Sequence, residues 1–324
     1  MRRRQILTIA TAAALSAGLA HQPAVAQTDK ALRVLVGFPP GGSADVLARM
    51  LADKMKDELK RPVIVDNKPG AGGRVAAEML KNAAPDGDTV MVAPIVVPVL
   101  APLTFAKLNY NPATDFAPVV QLASFQFGLA APGDAPYKSM AEFMAWLKAN
   151  PAKANFGHPG AGSLPHFFGL MIGREAGVDI LPVPFQGGAP LITALAGGQV
   201  ASGIDVLGEQ LELHRAGKLR ILATSGAQRS KLVPEVPTFR EQGFANIQAQ
   251  GWFAMYAPAR TPVATITAIN AAANKALAAP DVLERIAKLS LETNGGSAAD
   301  LAKVQEAETL RWGPVIKASG FRAD

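Results

Sequence analysis

Four times along this chain, an apolar stretch of strand length runs into a glycine-rich turn and then into a segment with helical periodicity. The copies read VLVGFPPGGSADVLARML, VIVDNKPGAGGRVAAEML, ANFGHPGAGSLPHFFGLMI and LPVPFQGGAPLITALAGG. A helix that begins directly after such a turn has first N–H groups without intrahelical partners, and its dipole places partial positive charge there. Because both features favour a negatively charged ligand, the four junctions predict a protein that binds an anion.

Strand and helix patterns alternate along the chain. Leu32 to Phe38 is an apolar run of strand length, and Leu47, Leu51 and Met55 then recur at helical spacing through a charged segment. This alternation predicts an α/β fold in which parallel sheets carry helices on both faces. Right-handed crossovers place every strand-to-helix loop at one edge of its sheet, where the ligands of open α/β folds bind.

A length of 324 residues favours two lobes over a single core. Two strand-like runs, 116–131 and 248–258, each end near a proline and are interpreted as crossings between the lobes. The predicted division is a discontinuous first lobe, residues 27–120 and 253–324, and a second lobe, residues 121–252. Two lobes joined by two strands can close on a ligand by hinge bending.

After the second crossing, the spacing of apolar residues predicts three helices and no strand. The helices cover residues 262–277, 281–289 and 297–318. Because no strand separates them, we expect all three to wrap back onto the first lobe.

The first 26 residues predict a secretory signal peptide. A basic head, MRRRQ, precedes an uncharged run from Ile6 to Ala20 and the small-x-small cleavage pattern that ends at Ala26. About 15 apolar residues are fewer than the ~20 that a membrane-spanning helix needs. A later apolar stretch, 90–106, is interrupted by prolines, so we expect a soluble, exported protein. The adjacent arginines leave open whether the Sec or the twin-arginine (Tat) route exports it.

The composition excludes several classes of protein. The chain has no cysteine, which excludes disulfides, thiol catalysis and zinc–thiolate sites. The formal net charge of +6 includes Arg2, Arg3 and Arg4, which leave with the signal peptide. The remaining basic residues are interspersed with acidic ones and form no stripe with aromatic residues between them. We therefore expect no binding to nucleic acid.

The glycine-rich segments and their neighbours follow one another in an order that resembles a known family. In chain order they are GFPPGGSADVLAR (37–49), VDNKPGAGG (65–73), PDGDTVMV (85–92), LNYNPATDFAPV (108–119), GHPGAGSLPH (157–166), VPFQGGAPLITALAGGQV (183–200), ATSGAQRSKLVPEVPTFREQGF (223–244) and WFAMYAPARTP (252–262). Each motif is weak alone. As a set they resemble the solute receptors of tripartite tricarboxylate transporters, also called the Bug family, over essentially the whole chain after residue 26.

This resemblance implies a two-lobed periplasmic binding protein with a type II-like α/β fold. Each lobe would hold a mostly parallel sheet flanked by helices, and two crossing hinge strands would join the lobes around a small carboxylate. The resemblance further implies a monomer, without cofactor or metal, that delivers its ligand to the membrane permease subunits of a tripartite tricarboxylate-type transporter. A ligand-sensing receptor for a signalling partner, without a transport role, is the alternative.

The first of the family's ligand loops matches FPPGGSAD. Gly41 and Gly42 let the backbone approach a carboxylate, and Ser43 offers a hydroxyl and an N–H. Phe38 to Pro40 shape the wall of the site. Asp45 also matches the family, but an acidic residue in the first turn stabilises its own helix, and this capping role is favoured over ligand contact. The second turn, NKPGAGG, is the weakest of the four, since it can serve turn formation and helix packing alone.

In the third loop, GAGSLPH, the matching residues are Gly160, Gly162, Ser163 and His166, and Ala161 is also expected at the site. The Ser163 side chain can cap the next helix while its N–H faces the ligand. His166 shows no metal-ligand spacing with the other histidines. A neutral histidine that closes the pocket is therefore favoured over one that contacts the ligand directly.

The fourth loop departs from the family pattern. Phe185-Gln186 stands where many members have Tyr-Lys or Tyr-Arg before the paired glycines, so a hydroxyl and a cation are lost. Gln186 still donates through its amide, and the N–H groups of Gly187 and Gly188 are expected to be exposed to the ligand. Asp205 matches an acidic residue of the family, which either orients waters in the pocket or caps a strand end.

A larger departure follows Val92. Where the family commonly has small polar residues, this chain has apolar ones that include Pro94 and Ile95. Burying a second charged group of a ligand against them would cost several kcal/mol. We therefore expect a ligand with one well-held carboxylate and an apolar or aromatic remainder, rather than citrate. The alternative is that residues 93–99 turn into the core of the lobe.

A hydrolase is the competing class of protein, because Ser163 and His166 could pair as nucleophile and base. However, the sequence has no G-x-S-x-G turn, no G-x-x-x-x-G-K-S/T phosphate loop and no acidic cluster for a metal. A spacing of three residues at a helix start is explained by capping. We therefore expect a binding protein and not an enzyme.

Overall fold

The computed structural model describes residues 30–244, 246–248 and 250–323, so the predicted signal peptide lies outside the described residues. From residue 31 onward the chain forms one compact unit. Its strands are β1 (Leu32–Val36), β2 (Val63–Asn67), β3 (Thr89–Pro94), β4 (Phe116–Phe125), β5 (Phe127–Pro132), β6 (Asn155–His158), β7 (Leu181–Pro184), β8 (Ser202–Val206), β9 (Leu219–Thr224), β10 (Gly251–Pro258) and β11 (Glu292–Gly295).

The helices agree closely with the periodicity of the sequence. They are α1 (Ser43–Leu59), α2 (Arg74–Lys81), α3 (Ala101–Thr104), α4 (Pro112–Asp115), α5 (Met140–Ala149), α6 (Leu164–Ala176), α7 (Gly188–Ala196), α8 (Leu207–Arg215), α9 (Val263–Leu277), α10 (Pro280–Lys288) and α11 (Ala298–Ser319). All four predicted strand–turn–helix units are present, as β1–α1, β2–α2, β6–α6 and β7–α7. In each unit an apolar strand ends at a glycine- or proline-rich turn, which the next helix follows.

The strands form two sheets, and we call each sheet with its helices a lobe. The first lobe holds the six-stranded sheet and the second lobe holds the five-stranded sheet. The six-stranded sheet has the order β11-β4-β10-β3-β1-β2, and the five-stranded sheet has the order β7-β6-β8-β5-β9. The expectation of parallel sheets is only partly right, because β10 is antiparallel to β3 and β4, and β5 is antiparallel to β8 and β9. Both β5 and β10 enter their sheet from the other lobe. A strand that arrives without a crossover helix need not run parallel to its neighbours, so both sheets are mixed.

The run 116–131 passes from one sheet to the other, as its pattern predicts. β4 lies in the six-stranded sheet, β5 lies in the five-stranded sheet, and Gln126 alone separates them. The Gln126 side chain donates to Gln228 O at 3.3 Å and to Glu292 Oε1 at 3.5 Å. The return crossing leads from β9 to β10. The chain therefore passes between the lobes at β4–β5 and again before β10.

The segment after β10 differs from the prediction in two respects. A strand, β11, lies between α10 and α11 and pairs antiparallel with β4. Its sequence, ETNG, has no apolar alternation, and only its pairing at the sheet edge identifies it. In addition, α11 also contacts the second lobe, because the buried Trp312 ring packs edge-on against Phe168 of α6 at 5.5 Å. The three helices therefore do not pack on the first lobe alone.

Helices α1 and α9 cover one face of the six-stranded sheet. Leu47 and Met55 of α1, with Ile269 and Ala273 of α9, are each at most 1% exposed in a shared apolar cluster. Their spacing places them on one face of each helix, so burial fixes α1 against the sheet and fixes where its first turn points. Among the residues that the structure describes, no helix is both long and apolar enough to cross a membrane.

Leu47→Ala tests this packing. Because Leu47 is fully buried, we expect the substitution to lower the free energy of unfolding by about 2–5 kcal/mol in chemical denaturation. Leu310→Ala on α11 is a matched control, since Leu310 is 70% exposed and its loss should change the same quantity by less than about 0.5 kcal/mol. Similar losses for the two variants would contradict the assigned core.

Candidate ligand-binding site

Helix α1 starts at the edge of the six-stranded sheet where β1 ends. Gly42 precedes the first helical turn and, as a glycine, has no side chain that could accept from the first N–H groups of the helix. Within the described residues, the N–H groups of Gly42 and Ser43 have no acceptor, and the Ser43 side chain is exposed. The N–H of Gly41, in contrast, donates to Asp45 Oδ2 at 2.9 Å. The anion-binding capacity predicted for FPPGGSAD therefore rests on Gly42 and Ser43.

Asp45 is buried in the first turn of α1, and the protein itself supplies partners for both carboxylate oxygens. Oδ2 accepts from Gly41 N–H and from Arg49 Nε at 3.0 Å, while Oδ1 accepts from Asn67 Nδ2 at 2.9 Å. Burial alone would raise the pKa of Asp45, but the hydrogen bonds from Arg49, Gly41 and Asn67 outweigh it and lower the pKa. A carboxylate with these partners supports the helix start, which favours the capping role.

The NKPGAGG turn packs against the first loop. A side-chain carbon on Gly37 would stand 2.6 Å from Gly73 Cα, and one on Gly73 would stand 3.1 Å from the Phe38 ring. Gly73 also has a φ of 91°, so both space and conformation require glycine there. This turn therefore holds Phe38 in position, and the structure supports the packing role for it. Pro40, on the same loop as Phe38, is exposed.

Residues 93–99 turn largely into the core. Ile95, Val97 and Val99 are at most 3% exposed, and Ile95 N–H donates to Trp252 O at 2.9 Å. Pro94 remains partly exposed at the end of β3. Packing explains the apolar character of this segment. The structure therefore does not support a ligand contact by Ile95 and favours the alternative that residues 93–99 turn into the core of the lobe.

In the third loop, hydrogen bonds within the turn use the groups that were expected to face a ligand. Ser163 Oγ accepts from His166 N–H at 3.4 Å, which caps α6, and donates to Gly160 O at 2.6 Å. Ser163 N–H also donates to Gly160 O, at 3.2 Å, and Gly162 N–H donates to His166 Nδ1 at 3.2 Å. The expected orientation of Ser163 N–H is therefore not observed. Ala161 lies at the exposed tip of the turn.

His166 is a buried, neutral side chain. It is 7% exposed and stacks on His158, with 4.6 Å between the ring centroids. Burial and then the neighbouring His158 lower the pKa of His166 to about 4. Since Nδ1 accepts a hydrogen bond from the backbone, the neutral ring carries its proton on Nε2. Within the described part of the chain, no group of three or more His, Asp or Glu side chains is arranged to hold a metal.

Phe321, which follows α11, packs over the third loop. Its ring lies edge-on to His166 with 5.2 Å between centroids, and a side-chain carbon on Gly162 would stand 2.9 Å from it. Two residues later, Ala323 N–H donates to Thr104 O at the end of α3, at 3.0 Å. The segment after α11 therefore connects the third loop to the first lobe.

The fourth loop offers fewer free donors than its sequence predicts. Phe185 packs against the core of the second lobe, and its N–H donates to His158 O at 2.9 Å. Gly187 N–H donates to Pro159 O at 3.1 Å, so the expectation that it is exposed to the ligand is wrong. Gly188 N–H has no acceptor among the described residues, and Gln186 is exposed.

Two carboxylates converge on the start of α7. A side-chain carbon on Gly188 would collide with Glu209 Oε2 and would stand 2.5 Å from Asp205 Oδ2. Asp205 Oδ1 accepts from Val206 N–H at 2.8 Å, whereas Oδ2 is buried without a partner among the described residues. Burial, and then the charge of Glu209, raise the pKa of Asp205 to about 7, and burial raises the pKa of Glu209.

A cavity of about 300 Å³ lies between the lobes and brings several of these residues together. It is lined by Ser43 from the first loop, by Val206, Gly208 and Glu209 from the second lobe, and by Phe125, Phe253, Lys288, Leu289, Ser290 and Leu291. Of the predicted site residues, Ser43 alone lines it directly. A larger cavity of about 800 Å³ lies at the far end of α6 beside α11, away from the glycine-rich helix starts.

Sequence reasoning missed Glu209 and the two phenylalanines of the smaller cavity. Glu209 lies in the first turn of α8, four residues after Asp205, and that spacing was the one available signal. Phe125 and Phe253 lie in the paired strands β4 and β10, with 5.5 Å between ring centroids. In the sequence they are indistinguishable from core residues of a strand.

The chain matches a known family over most of its length. The family described as "Tripartite tricarboxylate transporter family receptor" matches residues 47–321. Among curated relatives, the "UPF0065 protein in gbd 5'region" of Cupriavidus necator is 38% identical over 298 residues, which cover 90% of each chain.

Two solved structures resemble the whole two-lobed arrangement. MatC of Rhodopseudomonas palustris with bound malate is 33% identical, with a TM-score of 0.74, over 88% of this chain and 98% of that one. R. palustris Rpa4515 with adipate is 30% identical, with a TM-score of 0.77, over 90% of this chain and 97% of that one. Both lobes therefore have counterparts in proteins whose ligands are carboxylates.

Asp45→Asn tests the structural role of this carboxylate. Because the pKa of Asp45 is lowered on folding, its contribution to stability is present above the unfolded pKa and is lost as the pH falls through the folded pKa. We expect the substitution to lower the free energy of unfolding at pH 7 by about 1–3 kcal/mol, with a smaller difference from wild type at pH 3. Asp57→Asn, on the exposed side of α1, is the control in pH-dependent denaturation, and an equal effect there would contradict the assignment.

Proposed function

The chain belongs to the tripartite tricarboxylate transporter receptor family, and on that premise we propose that it captures a small carboxylate between its two lobes in the periplasm. Members of this family are receptors and not enzymes, so the ligand is bound without being converted. The observation that carries the proposal is the uncapped start of α1. There the free N–H groups and the Ser43 hydroxyl lie beside a cavity that the second lobe also lines.

A carboxylate fits this helix start on physical grounds. The first N–H groups of α1 are short of acceptors, and the helix dipole adds partial positive charge. Preformed donors of this kind replace the hydration of an anion without a charged side chain, and bridging waters extend their reach. Malate and adipate in the two solved relatives are both carboxylates, which supports the ligand class.

We assign the rest of the ligand an apolar or aromatic body. Residues 93–99 do not supply the apolar wall, because they are packed into the core. Phe125, Phe253 and Leu291 line the same cavity as Ser43 and can supply it. A ligand whose carboxylate meets α1 would place its remainder against these apolar side chains, which offer no hydrogen-bond donor to a further carboxylate.

The proposal includes delivery of the ligand to the membrane permease subunits of a tripartite tricarboxylate-type transporter. A Sec or Tat signal peptide over residues 1–26 would export the chain. Hinge bending at the two crossings would move the lobe of the five-stranded sheet against the lobe of the six-stranded sheet, so that closure holds the ligand and reopening releases it. A sensor for a signalling partner is the alternative, and a pull-down with membrane fractions would distinguish the two.

A carboxylate series tests the ligand class. We expect benzoate and 3-methylbutanoate to bind the mature protein at least about 10-fold more tightly than citrate in titration calorimetry, because citrate buries extra charge beside Phe125 and Phe253. A thermal-shift screen checks the same ranking, since a ligand that binds the native state raises the unfolding temperature. Equal or tighter binding of citrate would contradict the apolar body, and the absence of binding by any carboxylate would contradict the proposed function.

Ser43→Ala tests the position of the carboxylate. We expect the affinity for the best carboxylate of the series to fall about 3- to 10-fold, as for the loss of one hydrogen bond, with an unchanged unfolding temperature of the free protein. Ser139→Ala is the control. The Ser139 hydroxyl caps α5 by accepting from Glu142 N–H at 3.2 Å, so its loss should lower stability and leave the affinity unchanged.

A further inference from the structure

Asp205 and Glu209 form an acidic pair that makes no salt bridge within the described part of the chain. Asp205 is 2% exposed, and its Oδ2 is buried without a hydrogen-bond partner among the described residues. In the helix that carries Glu209, Glu212 pairs with Arg215 and His214 contacts Glu235, so neither of these contacts involves Glu209. Among the described residues, no basic side chain therefore neutralises the negative charge of this pair.

Support of the start of α7 does not account for this pair. No side chain caps α7, and the N–H groups of Gly188 and Ala189 donate to neither carboxylate within the described residues. Asp205 Oδ1 has its own partner in Val206 N–H, but Oδ2 makes no such contact. Asp205 is buried while Glu209 is exposed. A carboxylate buried beside a second carboxylate is costly unless the pair holds a proton or meets a cation, and such arrangements concentrate at functional sites.

The acidic pair adjoins the proposed ligand cavity. Glu209 lines the cavity of about 300 Å³ together with Ser43. Its Oε2 and Asp205 Oδ2 both lie close to Gly188, where a side-chain carbon would contact them. The cavity thus has positive potential from the start of α1 on one side and carboxylates on the other. Lys288 also lines the cavity, but its ammonium pairs with Glu284 at 2.7 Å.

We propose that the Asp205–Glu209 pair recognises a cationic group, so that the ligand is an amino carboxylate whose carboxylate meets α1 and whose ammonium meets the pair. This inference rests on the proposed function, because it assigns the second end of the same ligand. It also separates the glycine-rich helix starts by role. The start of α1 binds an anion. The start of α7 does not bind one, because the acidic side chains of Asp205 and Glu209 already lie beside it.

The chemistry of an ammonium group matches what the pair lacks. An ammonium is a compact charge with several N–H donors, so one group can donate to Asp205 Oδ2 and Glu209 Oε2 together. Its charge removes the repulsion between the two carboxylates, so neither needs to bind a proton. A ligand without the amine leaves that repulsion in place, and the affinity difference between the two ligands measures the recognition.

Matched ligand pairs test the inference by titration calorimetry on the mature protein. The pairs are L-phenylalanine with 3-phenylpropanoate, L-leucine with 4-methylpentanoate, L-aspartate with succinate, and L-glutamate with glutarate. Within each pair only the amino group differs. In the pair that contains the tightest ligand, we expect the amino carboxylate to bind at least about 10-fold more tightly than its partner.

Glu209→Gln should lower the affinity for that amino carboxylate by at least about 10-fold and change the affinity for its partner by less than about twofold. Asp205→Asn should act in the same direction. Both variants should fold, with an unfolding temperature of the free protein at pH 8 that equals or exceeds that of wild type, because like-charge repulsion is removed. Glu212→Gln is the matched control, since it removes the same charge from the exposed side of the same helix and should leave both affinities unchanged.

The outcomes separate this inference from the proposed function. Binding of the deamino acids as tight as that of their amino partners in every pair would overturn the inference and leave the carboxylate receptor standing. A preference for the amine that survives both Glu209→Gln and Asp205→Asn would also overturn it, because another group would then recognise the cation. If no member of any pair binds, both proposals are contradicted.

Discussion

A shortage of hydrogen-bond acceptors at the first turn of α1 is the constraint around which this molecule is arranged. Helices α5 and α11 begin with Ser139 and Ser297, whose hydroxyls accept from the first turn, and their starts are complete without a ligand. Helix α1 begins with Gly42 and has no such cap. Burial of Leu47 and Met55 holds that incomplete turn rigidly in place, so the packing of the lobe fixes where an external acceptor must lie.

The two lobes differ in what they leave unsatisfied. Among the described residues, the N–H groups of Gly42 and Ser43 in the first lobe lack acceptors. In the second lobe several donors of the third and fourth loops are used within the protein, and one buried carboxylate oxygen, Asp205 Oδ2, lacks a donor. A cavity with this polarity favours one orientation of a small polar molecule over the reverse. Under the proposed function, shape and charge would select the ligand together, and Phe125 and Phe253 of β4 and β10 would form the wall between its two ends.

Local patterns in the sequence were enough to predict the four strand–turn–helix units, because each is specified by apolar spacing and a glycine turn within about 20 residues. The antiparallel pairing of β10, the polar edge strand β11 and the second contact of α11 depend on residues far apart in the chain. No local pattern encodes them. The donors of the third loop were misjudged for the same reason: whether Ser163 N–H is free depends on how tightly the turn closes on Gly160, and this is a property of the folded backbone.

The contact between Phe321 and the third loop has a consequence for how the molecule assembles. Gly162 and His166 form part of a turn whose outer surface is covered by the ring of Phe321, a residue much later in the chain. Until that ring arrives, the turn lacks its aromatic cover and Thr104 O lacks its donor from Ala323. The strands of the second lobe's sheet all precede β10 in the chain, whereas the aromatic cover of its third loop comes from the segment after α11. The packing of the third loop therefore depends on the docking of α11 and of the segment that follows it, and not only on the folding of the second lobe.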